Sequence, residues 1–265
     1  MPIGPARMSL WDHLGELRRR LTVVVIAIIV VACVAYFFSD TILVFLLKPV
    51  AVFFDNPNEL ASEEFIRSNA ILLKPFDAFA VRFFISFVAA IVVTTPIWIW
   101  QMLAFFLPAL NPNERKWVLP TFFVAVILFA IGVVFCYLII LDPAFGWMLE
   151  QAEPIGKPQL VINEYVDTIL LFEIAFGIAF ELPLVVFYLT VFNIVPYKKL
   201  RASWRTVYVA LLIICAVVTP DANPMTMILM FCAMAVLYEG SLALSRIVLA
   251  KRIAKQKKEE QEETA

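Results

Sequence analysis

Four stretches of this chain are apolar for long enough to cross a bilayer, and this limits the fold more than any other feature of the sequence. They run over approximately 21–38, 78–104, 117–141 and 169–192, and a crossing takes about 20 apolar residues. Two further apolar segments, 207–219 and 225–238, are short. At 1.5 Å per residue each reaches only about 20 Å, against a hydrocarbon core of about 30 Å. They flank the breaker Pro220-Asp-Ala-Asn-Pro224 and are compatible with two short crossings or with one re-entrant hairpin. The chain has 265 residues, of which 63% are hydrophobic and 16% charged. Ordinary soluble domains are about 45–50% apolar and about 25% charged, and a soluble domain of this length could not cover so much apolar surface. The expected class is therefore an all-α polytopic membrane protein. It forms a single unit over residues 1–250, followed by a charged tail over 251–265.

Basic residues give the orientation. Arg7, Arg18, Arg19 and Arg20 precede the first span; Arg115 and Lys116 follow the second; Lys198, Lys199, Arg201 and Arg205 follow the fourth. Arg246, Lys251, Arg252, Lys255, Lys257 and Lys258 follow the last. The opposite loops hold Lys48, Arg67, Lys74 and Lys157, and Arg82 lies inside the second span. Sixteen against four, plus Arg82, accounts for all 21 Lys and Arg. Cytoplasmic loops carry the excess of Lys and Arg, so both termini are expected in the cytoplasm. The first apolar run is too long for a signal peptide and lacks its cleavage site, and no Arg- and Ser-rich transit segment precedes it. The expected location is a prokaryotic inner membrane. In the long first outer loop, about 39–77, the apolar run Ile42 to Leu47 predicts a short helix closing over the bundle. A net charge of −1 gives no field for nucleic acid.

Charged and polar residues inside or beside the spans are the candidates for function. Ser9 with Asp12 resembles a capping box, and Leu10, Trp11, Leu14, Leu17 and Leu21 then share one helical face. Glu16 lies on the other, polar side, where an ion pair with Arg20 at i,i+4 is the plain structural reading, contributing about 0.2–0.5 kcal/mol. Glu114, behind Asn111-Pro-Asn, is placed to cap the third span and to meet the positive end of its dipole. The inferred topology puts both acids on one membrane face, where two carboxylates can receive a dibasic ligand.

Glu181 stands near the middle of the fourth span, where a charge costs about 2.5–3.5 kcal/mol on insertion scales. It should face a polar cavity or partner, or be protonated; a structural hydrogen bond within the bundle is the alternative. Pro183 leaves the Ala179 carbonyl without its donor, which predicts a kink. Glu173, eight residues earlier and about 80° around the helix, need not share that environment. Asp77 and Arg82 are five apart, so Arg82 is expected to snorkel or to pair across helices. Glu239 is expected to anchor the inner end of the last helix. His13 is the single histidine and is expected at headgroup level. The cysteines (33, 136, 215 and 232) all lie in apolar segments without metal-like spacing and should behave as small hydrophobes. No cofactor or metal site is expected. An intramembrane enzyme is disfavoured because the spans hold no Ser/His or Asp/Asp constellation. A proton-coupled small-molecule transporter using Glu181 remains the main rival reading.

Four motifs carry a resemblance. His13-Leu-Gly-Glu-Leu-Arg-Arg-Arg-Leu21 resembles the amino-terminal signature of TatC, the multispanning subunit of the twin-arginine protein translocase. Phe105-Phe-Leu-Pro-Ala-Leu-Asn-Pro-Asn-Glu-Arg-Lys116 resembles its first cytoplasmic loop. Phe176-Gly-Ile-Ala-Phe-Glu-Leu-Pro183 and Thr219-Pro-Asp221, with Leu237-Tyr-Glu239 beyond it, are similar as well. The resemblance implies six helices with two short final crossings. It also implies a receptor and scaffold that binds twin-arginine signal peptides at the cytoplasmic face and uses the proton-motive force to export folded proteins. Its expected partners are TatB-like and TatA-like single-span proteins, in an oligomeric complex among membrane lipids.

For the site, the resemblance implies that Glu16 and Glu114 help read the two arginines. Phe105, Pro108 and Leu110 would wall the pocket, and Arg18 belongs to the same set. Glu181 would face a concave, partly wet cavity where a partner's polar residue docks. Pro49 and Asp221 match positions of possible function. The two short final segments would also thin the bilayer locally.

Overall fold

The computed structural model describes residues 10–51, 53, 70–106, 118–152, 154–156, 159–191, 195–219, 224–248 and 250. Helix α1 (Leu10–Tyr36) is followed by α2 (Ser39–Ala51), the short strand β1 (Ala70–Ile71), α3 (Asp77–Val93) and α4 (Thr95–Phe106). Next come α5 (Val118–Phe135), a π turn (Cys136–Ile140), α6 (Leu141–Ala152), β2 (Leu160–Val161), α7 (Ile162–Ala179) and α8 (Leu182–Val191). The chain continues through α9 (Tyr197–Ala202), α10 (Trp204–Val218) and α11 (Pro224–Val248).

Among the described residues, four helical stretches are long and apolar enough to cross a membrane: His13–Tyr36, Val118–Ala152, Ile162–Thr190 and Pro224–Ile247. The bent pair α3–α4 makes a fifth if counted as one span. Apolar side chains remain on the outside of these helices, including Ile26, Ile29 and Val30 of α1, Ile127 and Ile131 of α5, and Ile213 and Val217 of α10. Such a surface suits hydrocarbon, which asks no polar coat of a helix.

The second span is bent by 55° at Thr94, where the sequence reads as one run over 78–104. Pro96 has no N–H for the carbonyl four residues back, so the ladder opens there. Side chains reinforce the bend: Trp98 Nε1 donates to the Ile91 carbonyl at 3.2 Å, and Thr94 Oγ1 donates at 2.7 Å to the Ala90 carbonyl, which also accepts the Thr94 N–H.

Proline acts again in the third span, which extends well beyond the expected 117–141. Its 35 residues measure about 52 Å, so one end must stand clear of the hydrocarbon. The π turn falls just before Asp142-Pro143, with the Leu141 N–H reaching the Cys136 carbonyl. A proline without an N–H is accommodated more easily where the helical ladder is already widened. In the fourth span the kink expected from Pro183 is present as a break between α7 and α8 at Phe180 and Glu181.

The short outer helix expected over the Ile42 to Leu47 run is α2, with Leu46, Leu47 and Val50 fully buried against the bundle. Phe45 stacks on Tyr137 with ring centroids 4.5 Å apart. A two-residue parallel pairing, Ala70 with Leu160 and Ile71 with Val161, ties the segment after α2 to the start of α7. Arg82 does pair across helices, its Nη2 lying 2.9 Å from an Asp40 carboxylate oxygen on α2. Asp77 instead accepts the Lys74 backbone N–H at 2.9 Å. Both members of the Arg82–Asp40 pair are about half exposed. Asp40→Asn is therefore expected to cost less than about 1 kcal/mol, read as an essentially unchanged melting temperature in detergent.

One expectation needs correction. The last apolar segment, 225–238, is part of a 25-residue helix, not a short span. Gly240 follows Glu239 without ending the helix, and no proline comes before Val248, so the small and apolar residues there keep it going. Only α10, with 15 residues and about 22 Å of length, is short. Any local thinning of the bilayer would fall to α10 alone.

Helices α5 and α7 approach closely where two glycines meet aromatic neighbours. A Cβ at Gly132 would stand 2.7 Å from the Phe176 carbonyl oxygen, and one at Gly177 would stand 2.7 Å from the Phe129 ring. Small residues let membrane helices approach backbone to backbone. The cysteines fall as expected: Cys136 and Cys215 are buried, and Cys33 and Cys232 are exposed on apolar surfaces.

Candidate functional site

The start of α1 and the end of α4 lie side by side, at the face where both helices leave the apolar zone. The amphipathic first turns of α1 continue into the span without a break. Trp11, Leu14, Leu17 and Leu21 turn outward, and the polar face turns toward α4. There the His13 ring stacks on Phe105, with centroids 4.2 Å apart and planes 19° from parallel.

One turn further along α1, Glu16 and Arg20 form the i,i+4 pair that their spacing predicts. Glu16 Oε1 accepts from Arg20 Nε at 2.9 Å and from Nη2 of the same guanidinium. Arg20 Nη1 also donates to Gln101 Oε1 on α4 at 3.2 Å. The guanidinium thus spans the two helices and holds the carboxylate in one orientation. Glu16 Oε2 is buried and has no hydrogen-bond partner among the described residues. A buried carboxylate oxygen without a donor is costly, and it is ready to accept from an incoming cation.

The sequence pattern pairs Glu16 with Phe105, and the two motifs meet here through the His13–Phe105 stack, about one turn before Glu16. It did not single out Gln101, although a lone amide in the apolar run Thr95–Phe106 is the kind of signal that could have found it. Arg18 does not join the cluster; it is exposed, two residues and so about 200° around the helix from Glu16. Pro108, Leu110 and Glu114 lie outside the described residues, as does Asp221.

Pro49 has a structural account. It stands in the last turn of α2, where its missing N–H leaves the Phe45 carbonyl free. That carbonyl accepts the Tyr137 hydroxyl at 2.7 Å, which binds α2 to the third span.

Glu181 sits in the break between α7 and α8. Its backbone carbonyl accepts from the Leu184 and Val185 amides at 3.0 and 3.2 Å, replacing the turn that Pro183 interrupts. One side-chain oxygen, Oε1, is buried and has no partner among the described residues. Beside the break lies a groove of about 480 Å³ whose lining includes Thr121 and Val124 of α5, Pro183 and Phe187, and Leu237 and Ser241 of α11. The groove is largely apolar, and Glu181 is not in its lining. Glu173 is more deeply enclosed, 7% exposed on α7. Within α11, nine residues before its end, Glu239 accepts from Arg201 Nη1 at 2.8 and 2.9 Å and from the Tyr208 hydroxyl at 3.1 Å. This anchors α11 to α9 and α10, inside the helix and not at the expected inner end.

Comparison with known proteins places these features in a family. Residues 12–232 match the family model described as Sec-independent protein translocase protein (TatC). The chain is 30% identical to the Sec-independent protein translocase protein TatC of Carboxydothermus hydrogenoformans over 251 residues, covering 95% of this chain and 98% of that one. It is 32% identical to the protein of the same name from Deinococcus radiodurans, covering 91% and 87% of the two chains. Among solved structures, a crystal structure of the twin arginine translocase receptor TatC in the detergent DDM superposes with a TM-score of 0.72 at 27% identity. That alignment covers 88% of this chain and 99% of the other.

Proposed function

Since this chain belongs to the TatC family of Sec-independent protein translocase components, we propose that it is the receptor that captures twin-arginine signal peptides at the cytoplasmic face. The observation that carries this reading is the half-satisfied carboxylate of Glu16. Arg20 occupies Oε1, while Oε2 is buried and has no hydrogen-bond partner among the described residues, one turn from the His13–Phe105 stack. A guanidinium presents planar, forked donors that engage carboxylates bidentately, and an ammonium does not reproduce that fork. Glu114 is proposed as the second acid of the pocket, with Phe105, Pro108 and Leu110 as its apolar wall.

Both termini are assigned to the cytoplasm of a prokaryotic inner-membrane protein, on the charge asymmetry of the loops. Six crossings follow if α3–α4 counts as one and α10 as a short one. In a translocase complex the chain would recruit TatB-like and TatA-like single-span partners and export folded cargo using the proton-motive force. Family membership does not favour the rival reading as a small-molecule transporter.

Photocrosslinking from positions 16 and 114 to a twin-arginine signal peptide and to its twin-lysine version, in native membranes, tests the receptor reading. Arginine-dependent crosslinks at both positions are expected. Their absence at both, with the protein inserted and folded, would return the two acids to ion-pair and capping roles.

Glu181 is proposed as the polar point at which a partner docks. Glu181→Gln is expected to leave folding and peptide binding close to normal, whereas Glu181→Leu loses partner co-purification. Equal loss of folding in the two variants would make Glu181 a structural residue.

A further inference from the structure

At the cytoplasmic end of the bundle, away from Glu16, a cavity of about 560 Å³ opens between α9 and α11. Tyr197, Arg201, Glu239, Leu242, Arg246 and Ile247 are in its lining. Its rim is cationic and its wall apolar. Arg201 uses Nη1 for Glu239, and its Nε and Nη2 make no hydrogen bond among the described residues. Arg246 is exposed in the last turn of α11 and has no ion pair among the described residues.

The charge balance favours an anion. Of the lining residues, Arg201 and Arg246 are positive and Glu239 is negative, two against one; Lys199 lies outside the lining, in the last turn of α9. The carbonyl end of α11 opposes an anion with roughly half a charge, which the one positive charge left over after the Arg201–Glu239 pair outweighs. The apolar wall says what kind of anion. Leu242 forms its buried side, while Ile247 is 75% exposed and Leu244 is exposed nearby on the same helix. The wall therefore runs out onto the surface that hydrocarbon would cover. A soluble phosphate would use the rim alone; a phospholipid would use rim and wall together.

We propose that this cavity is a binding site for an anionic phospholipid of the inner leaflet. Arg246 and the free donors of Arg201 hold the headgroup phosphate, and an acyl chain lies along Ile247. Basic pockets between membrane helices on the cytoplasmic side are a recurrent way of holding such headgroups. The site rests on the cytoplasmic assignment of these helix ends made above, but not on the signal-peptide pocket.

Native mass spectrometry of the purified full chain in detergent, with phosphatidylglycerol or phosphatidylcholine added, tests the proposal. The wild-type protein should retain phosphatidylglycerol preferentially. Arg246→Gln should lower that retention about fivefold, the usual worth of one basic residue near a charged membrane. Arg246→Lys should keep most of it and serves as the folding control. Arg205→Gln removes a charge outside the cavity lining, from a guanidinium that lies over Trp204, and should change retention by less than about twofold.

Undiminished retention in Arg246→Gln would overturn the site, and so would an equal loss in Arg205→Gln. Displacement of the lipid by soluble glycerol phosphate would reassign the cavity to free phosphate esters. Twin-arginine peptide binding in the same samples reports the receptor reading separately.

Discussion

Replacing Glu16 by glutamine is expected to weaken twin-arginine peptide binding on the order of a hundredfold, because removing one partner of an enclosed charge pair costs about 2–5 kcal/mol. The fold should survive the change. What Glu16→Gln removes within the chain is the charge of a part-buried i,i+4 pair, at most about 1.5–3 kcal/mol, and the amide can still accept from Arg20 through its oxygen. Loss of function and loss of stability are thus separable at this position.

Selectivity gives a second readout. The wild-type protein should bind the twin-arginine peptide in preference to its twin-lysine version, and Glu16→Gln should erase most of that preference, since the fork of a guanidinium is matched only by a carboxylate. Fluorescence anisotropy of labelled peptides with purified protein measures both quantities. Binding within about twofold of wild type, with the protein folded, would remove Glu16 from the pocket.

Gly132→Ala is expected to cause the largest loss of stability of any single methyl added to this chain's described glycines. The new Cβ would stand 2.7 Å from the Phe176 carbonyl oxygen and 2.9 Å from Phe180 Cβ. Backbone cannot swing aside as a flexible side chain can, so α5 and α7 must separate. Overpacking of this kind costs about 1–3 kcal/mol, a fall of roughly 2–12 °C in melting temperature for a chain of this size.

Gly177→Ala meets the Phe129 ring at 2.7 Å, and the ring can tilt, so its cost should be smaller. Gly240→Ala has nothing within 4 Å of the new methyl and should be neutral or slightly stabilising, since alanine favours helix over glycine by roughly 0.8–1 kcal/mol. Thermal melts of the three variants in one detergent order them. A Gly132→Ala protein as stable as Gly240→Ala would contradict the close crossing of α5 and α7.

The run of apolar residues in each span was enough, without any structure, to require helices, because hydrocarbon leaves the backbone no other partner. The spacing of Glu16 and Arg20, the turn forced by Pro183 and the outer helix at Ile42 to Leu47 were legible for similar reasons. Each depends on local geometry or on a motif contained in one short stretch. The length of the last helix is not legible in the sequence, because the apolar stretch ends near Tyr238 while the helix does not; apolarity marks what hydrocarbon covers, not where the backbone ladder stops.

Tertiary structure alone decided which faces meet. Gln101 is recruited to Glu16 only because Arg20 bridges α1 to α4, 81 residues apart in sequence. Pro49 acquires its role only because Tyr137, 92 residues from Phe45, reaches the carbonyl that the proline leaves open. The 55° bend at Thr94, the crossing at Gly132 and Gly177, and the cationic cavity between α9 and α11 likewise depend on contacts between separate helices. Hydropathy and helical period are properties of a segment and its solvent, so the sequence determined the elements and their medium. Pairing, bending and pocket formation are properties of two surfaces at once, so they could be known only when the helices were in place.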